Sequence, residues 1–450
     1  MFKRIEIWVL YLFVLVSVIF TISFGVLVRQ ELVGTTKAGK ISKAALFLSS
    51  LPAQIKSSMS TLQEPDRFIN LDGFSGEPNT QEIYLLLSRY NGDLKEGIVE
   101  LIDLRNFNVL HTWNPDIDSF NDLISKEEEF KHLSRDRTNR RTILRHPLLT
   151  KDGGLIFKHN SPLRKIDSCS NLLFQNSRDI FHHSIESDSD GNIWVPTHIY
   201  PQTLPVEMVG RDIVTEGGFY DDGIAKLSPT GDILFEKSIS QILIENDLEY
   251  LLFSLNNMFF VNDPIHVNDI QPVNEETKFW KKNDLFLSLR QQSMVLLYRP
   301  STNRIIWKGT GKFFFQHDVN ILDDSRISVF NNNNKIYKEG DMVDGNNQVI
   351  IYDFATDKYS LYLDNALIQN EIRTPYQGRS TILPNGDLFI EESDYARTMY
   401  FNSDGSLRWT HVNRANNGNV YMLGWSRVLY NKEDINNVNN FLNTKIKCNE

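Results

Sequence analysis

The chain has 450 residues, 41% of them hydrophobic, with 47 Lys and Arg against 57 Asp and Glu, for a formal net charge of −10. That length can bury a large core. An acidic balance with no dense basic stripe excludes a nucleic-acid polyanion as partner, and two cysteines, Cys169 and Cys448, exclude a cysteine-based metal cluster.

At the N-terminus, residues 7–28 form an uncharged apolar run, IWVLYLFVLVSVIFTISFGVLV. At about 1.5 Å per residue it can cross a hydrocarbon core of about 30 Å. It exceeds a signal-peptide core, and no small-residue cleavage site follows, so it reads as an uncleaved anchor. Lys3 and Arg4 precede it, but Arg29, Lys37, Lys40 and Lys43 follow, so flanking charge does not settle its orientation. A short tail ahead of one large domain favours a single pass through the inner membrane, with the domain in the periplasm. The expected organisation is an anchor over 1–29, a stalk over 30–64 and a folded domain over 65–450. Within the stalk, residues 44–56 read as a short helix broken at Pro52.

From residue 82 onward one pattern recurs: a strand, a polar turn with Asp, Asn or Gly, and another strand. The outer hairpins are GIVELIDLRNFNVLHTW, SPLRKIDSCSNLLFQ, GIAKLSPTGDILFEK, MVLLYRPSTNRIIWKG, QVIIYDFATDKYSLYL and ARTMYFNSDGSLRWTHV. Inner hairpins precede most of them, including HHSIESDSDGNIWVP and GRSTILPNGDLFIEE. Turns such as SDG and PNG are good hairpin connectors. Four strands repeated six times predict an all-β, six-bladed propeller. The first unit lacks an innermost strand, which VYMLGWSRVLY (420–430) can supply to close the ring. Apolar spacing in 238–253 predicts a helix laid on the propeller. Residues 114–144 read as an external loop or helix, and the basic stretch 135–146 as a solvated loop. DSDGN (188–192) and the NNNN run (331–334) read as turns. Cys169 and Cys448 stay open between a disulfide and two free thiols.

Three histidines start three successive repeats. His183 stands ten residues before Ile193, and His317 ten before Ile327. His266 fits the same register if NEETKFWKK is a loop insertion. In a closed ring, that register brings all three to one mouth of the channel. Asn268 lies two residues after His266, so both are expected on the channel face of a strand. Arg290 closes the strand FLSLR of the same blade. Gly378–Arg379 and Arg145–His146 fall near the same register, with Arg379 able to pair with Glu391 or Glu392. His182 adjoins His183, and a one-residue slip would exchange them. Each histidine alone reads as structural; the set reads as a site.

The combination of H-x-N, S-x-R and QHD followed by ISVFNN, with the ending LGWSRVLY, resembles the bacterial aryl sulfotransferases that use phenolic sulfates. The likeness covers most of 80–430 as repeats and about 40 residues as specific motifs. It implies a periplasmic six-bladed propeller that moves a sulfuryl group from one phenol to another through a covalent sulfohistidine, without a nucleotide donor. It implies that His317 is the nucleophile and that His266, Asn268, Arg290 and His183 handle charge. The partners implied are an aryl sulfate donor and a phenolic acceptor. The inserted NEETKFWKK and Asp318 depart from the family pattern.

The residue types suit this chemistry. Sulfuryl transfer needs a nucleophile neutral near pH 7, which imidazole is, and donors aimed at the sulfuryl oxygens and the phenolate. No cofactor or metal is expected, and neither G-x-x-x-x-G-K nor H-E-x-x-H occurs. The alternative is a non-catalytic propeller that binds a ligand or protein partner at its mouth. A sugar- or lactone-acting hydrolase would want a cage of carboxylates, which the sequence does not display.

Overall fold

The computed structural model describes residues 6–32, 38–59, 62–124, 138–178, 180–213, 218–254, 259–444 and 448. It divides into two compact units, Met1–Thr61 and Leu62–Glu450. In the first, α1 (Ile7–Leu32) is followed by α2 (Lys40–Met59). Ile7–Gln30 is long and apolar enough to cross a membrane, with a mean hydropathy of 2.5. The expected break at Pro52 does not occur. The proline forfeits one backbone hydrogen bond, but its Leu, Ala and Gln neighbours are good helix formers, and α2 continues across the loss.

The second unit is a propeller of six antiparallel sheets. From blade 1 to blade 6 the innermost strands are Arg427–Leu429, Arg145–Leu149, Glu186–Ser187, Val267–Pro272, Val319–Ile321 and Arg379–Ile382. The ring closes as expected from the C-terminal run: Arg427–Leu429 pairs with Tyr84–Leu86. A second closure was not foreseen. Gly73–Gly76, in a polar segment that reads as a turn, forms a fifth strand on the outer edge of blade 6, pairing with Trp409–Val412. The chain ends in α3 (Lys432–Asn443), whose Phe441 stacks on Trp113 with ring centroids 5.8 Å apart. Gly153, at φ 79°, turns the second blade's inner hairpin directly under the Phe441 ring, where a side chain would clash. Cys169 and Cys448 form a disulfide, which pins the end of the chain to blade 2.

The 238–253 segment is helical, as Ile239–Glu245 and Tyr250–Phe253, with Ile239, Ile242, Leu243, Leu248, Leu251 and Leu252 buried. In 114–144, residues 117–121 are helical, and 125–137 lie outside the described residues. The basic stretch is not wholly a solvated loop: 142–147 are buried, because they lead into blade 2's inner strand.

Neighbouring blades are stitched by buried side chains. Inner strands leave backbone N–H groups facing the channel, and burial makes an unpaired one costly. Asp222 accepts from Val267 N at 3.2 Å, Asp269 from Val319 N at 2.6 Å, and Asp318 from Ser380 N at 2.9 Å. Glu391 accepts from Trp425 N and Ser426 N at 2.8 and 2.7 Å. In blade 2 a histidine takes this role: His146 Nδ1 accepts from Ile185 N at 3.0 Å.

Candidate functional site

Each blade turns into its inner strand at one mouth of the channel, and several entries use left-handed backbone: φ is 47° at His146, 57° at His183, 52° at His266 and 64° at Trp425. The entries of blades 3, 4 and 5 bring the three histidines together. The rings of His183 and His266 are 4.8 Å apart by centroid, and those of His183 and His317 are 6.4 Å apart. Trp425, delivered by the closing segment, lies 5.9 Å from His183 and 5.8 Å from His317. His183 and His266 are half-buried, and His317 is buried.

His317 is held in one tautomer. Its Nδ1 lies 2.6 Å from Asn332 Oδ1. The Asn332 amide nitrogen donates to the carbonyls of Thr374 and Gln377, each at 3.0 Å, so its oxygen must be the acceptor. His317 therefore carries its hydrogen on Nδ1, which makes Nε2 the nitrogen that bears the lone pair. Burial, and then the Arg290 charge, push the ring's pKa down to about 3, so it is neutral at pH 7. The NNNN run is thus more than a turn. Asn332 fixes the His317 ring, Asn331 accepts from Phe314 N at 2.7 Å, and all four asparagines are buried.

His266 Nδ1 lies 2.6 Å from Asp263 Oδ2, a carboxylate that can only accept, so this nitrogen carries a hydrogen. Arg290 donates from its backbone to His266 O at 3.1 Å, and its guanidinium lies over the Phe315 ring at 5.0 Å. His183 Nδ1 meets His182 Nδ1 at 2.7 Å. Burial, and the positive charge its histidine neighbours can carry, hold the His183 pKa well below the usual range. The choice between His182 and His183 is resolved: His183 joins His266 and His317, whereas His182 turns to His198 and Asp222.

Asn268 takes a backbone partner in the next blade. The strand pairing is irregular between Val267 and Asp269, so two-residue alternation fails there. Asn268 is fully buried and donates to Gln316 O at 2.8 Å, bracing the residue before His317. Arg379 lies opposite Glu391 in the strand register, yet its ion pair is with neither Glu391 nor Glu392. It pairs with Asp318 at 3.2 Å and contacts His146 Nε2, while Glu391 is committed to the blade 1 backbone. Sequence reasoning also missed Asp263, Asn332 and Trp425 as site residues. Trp425 and Asn332 carried a signal, inside the LGWSRVLY and ISVFNN motifs, whereas Asp263 carried none.

Past the middle of the channel the polar groups change character. Asp269 is pushed up to about 8 by burial and by the nearby Asp318 and Glu186 carboxylates. Arg427 pairs with Glu186 at 3.1 Å and donates to Pro147 O at 2.8 Å. A cavity of about 470 Å³, lined by Glu186, Gln271, Asn320, Arg379, Arg427 and Asp434 among others, opens at the far ends of the inner strands. It lies at the opposite mouth from the histidines.

No curated protein matches the chain. Among solved structures, it is similar to a protein of unknown function from Bacteroides caccae, at 11% identity and a TM-score of 0.46 over 77% of this chain and 99% of that one. It is also similar to virginiamycin B lyase from Staphylococcus aureus, at 10% identity and a TM-score of 0.37 over 75% and 88%. At these values the likeness adds nothing to the propeller already described. The family model for arylsulfotransferase (ASST) matches residues 146–414, more than half of the chain, a span that contains His183, His266, Arg290 and His317.

Proposed function

This chain belongs to the arylsulfotransferase family, and we propose that it transfers a sulfuryl group from a phenolic sulfate to a phenol through a covalent intermediate on His317. The observation that carries this reading is the locked His317 tautomer, with the lone pair on Nε2, in a ring beside two half-buried histidines and near an arginine. Nε2 attacks sulfur, an N–S bond forms, and the S–O bond to the aryl group breaks with its electron pair leaving on the phenolate. His183 or His266 supplies the proton that the phenolate takes. Arg290 balances the charge of the sulfuryl oxygens. In the second half the same histidine accepts the proton of the acceptor phenol, whose oxygen attacks sulfur and releases Nε2.

The roles of the other residues follow from their contacts. Asp263 steadies His266 while that ring gains and loses a proton. Asn268 acts through the backbone next to His317 and does not touch the substrate. Trp425 offers an aromatic face against which a phenyl ring can pack. The Cys169–Cys448 disulfide is of a kind that persists in oxidising compartments, and α1 is suited to a single-pass anchor. Together they favour an inner-membrane protein whose propeller faces the periplasm.

The test is turnover of p-nitrophenyl sulfate with a phenolic acceptor. Wild-type protein releases p-nitrophenolate in an acceptor-dependent way. Absence of turnover with any aryl sulfate would leave the non-catalytic binding propeller as the better reading.

A further inference from the structure

One residue from the site lies a second cluster that sulfuryl transfer does not use. His182 leads into the inner part of blade 3. His198 ends the next strand, Ile193–His198, and Asp222 begins the one after, Asp222–Leu227. His198 and Asp222 face each other as register partners. His182 Nε2 and His198 Nε2 lie 3.2 and 3.3 Å from the same oxygen, Asp222 Oδ1. The two imidazole rings run side by side, with centroids 4.2 Å apart. All three side chains are buried, with exposures of 6%, 9% and 0%. Neither His182 Nε2 nor Asp222 Oδ1 makes a hydrogen bond of acceptable geometry. The other Asp222 oxygen is tied to Val267 N, so the carboxylate is fixed in place.

Three buried ligand atoms converge here, and two of them, His182 Nε2 and Asp222 Oδ1, lack a hydrogen bond; such groups are costly unless something satisfies them. Their spacing suits a shared ion. Donors about 2.0–2.2 Å from one ion, at tetrahedral or octahedral angles, stand about 3.0–3.5 Å apart.

We propose that His182, His198 and Asp222 bind a divalent transition-metal ion, with Zn²⁺ best matched to two imidazoles and one carboxylate. Three protein ligands leave the remaining positions open to water. The ion also reaches the neighbouring site. With Nε2 of His182 on the metal, the remaining proton of that ring sits on Nδ1 and points at His183 Nδ1. A neutral His183 must then carry its own proton on Nε2, as a donor. Only this last consequence rests on the proposed transferase role; metal binding does not.

The test uses the full chain in detergent, stripped with a chelator and titrated with Zn²⁺ and with Co²⁺. One ion per chain is expected, with visible Co²⁺ absorption and a Zn²⁺-dependent rise in Tm. His198→Ala should weaken binding roughly 100-fold and abolish the Tm rise, with the Tm in chelator unchanged. His266→Ala should bind as wild type. X-ray absorption of the Zn²⁺-loaded wild-type protein, which needs no variant, should show two imidazoles among nitrogen and oxygen donors. The proposal is overturned by absence of stoichiometric uptake, by His198→Ala binding as tightly as wild type, or by a three-imidazole spectrum lost in His266→Ala. That last result would place the ion among His183, His266 and His317.

Discussion

The two mouths of the channel are built by the same six inner strands, yet they treat polar groups in opposite ways. At the far mouth charges are closed into pairs. Glu186 meets Arg427 at 3.1 Å, and deeper in the channel Asp318 meets Arg379 at 3.2 Å. At the near mouth each histidine has one engaged ring nitrogen: Nδ1 of His317 on Asn332, of His266 on Asp263, of His183 on His182. Closed pairs hold the ring of blades together. Rings anchored by Nδ1 keep Nε2 for chemistry, and such one-sided anchoring marks a functional site more clearly than burial does. The same backbone register therefore serves structure at one end and reactivity at the other.

Substitutions at the two mouths should separate these roles. The largest effect belongs to the near mouth: His317→Ala should lower kcat/KM for aryl sulfate by at least about 10³-fold, as loss of a covalent nucleophile does, with an unchanged urea midpoint. At the far mouth Arg427→Ala should do the reverse. Leaving the half-buried Glu186 with only His146 Nε2, 3.4 Å away, in place of its arginine should cost about 1–3 kcal/mol in urea unfolding, while activity per folded molecule persists. Arg427→Ala protein that keeps its stability and loses activity would erase the contrast. A smaller loss of activity is predicted for Asn332→Ala, which frees the His317 tautomer. It should lower kcat by about 10–100-fold and leave KM for the donor nearly unchanged, as steady-state kinetics would show.

The smallest effect, taken per pH unit, is a slope in stability. Burial pushes His317, His182 and His411 each down to about 3. Between that value and about 6.5, where an unfolded histidine titrates, unfolding takes up protons the fold refuses, so stability falls as pH falls. Each such histidine adds about 1.4 kcal/mol per pH unit across that window. His411 lies in blade 6 against Phe74, ring centroids 4.5 Å apart, away from the histidine mouth. His411→Phe should remove one histidine's share of the slope in pH-dependent urea titrations, with kcat intact.

Much of the propeller was legible because its signals are local. Alternating strands and Asp-Gly or Asn-Gly turns repeat within short windows, and the apolar spacing of 238–253 is a local pattern too. The ring closure by 420–430 followed from counting strands. What escaped depends on distant partners. The Cys169–Cys448 bridge spans 279 residues, and nothing near either cysteine announces it. Gly73–Gly76 becomes a strand only because the outer edge of blade 6 offers it a partner. Asn332 and Asp263 acquire meaning from the rings they touch, and the irregular strand pairing at Asn268 has no mark in the sequence. The histidine register was readable, whereas the contacts that differentiate the histidines needed coordinates.

The central claim is that Nε2 of His317 is the atom to which the sulfuryl group is attached. Intact-mass analysis after rapid mixing with p-nitrophenyl sulfate, without an acceptor phenol, measures it directly. A gain of one sulfuryl group, mapped by peptide sequencing to His317 and discharged when phenol is added, is the predicted result. Turnover with the modification on another residue, or with no covalent intermediate under conditions that trap one, would contradict it.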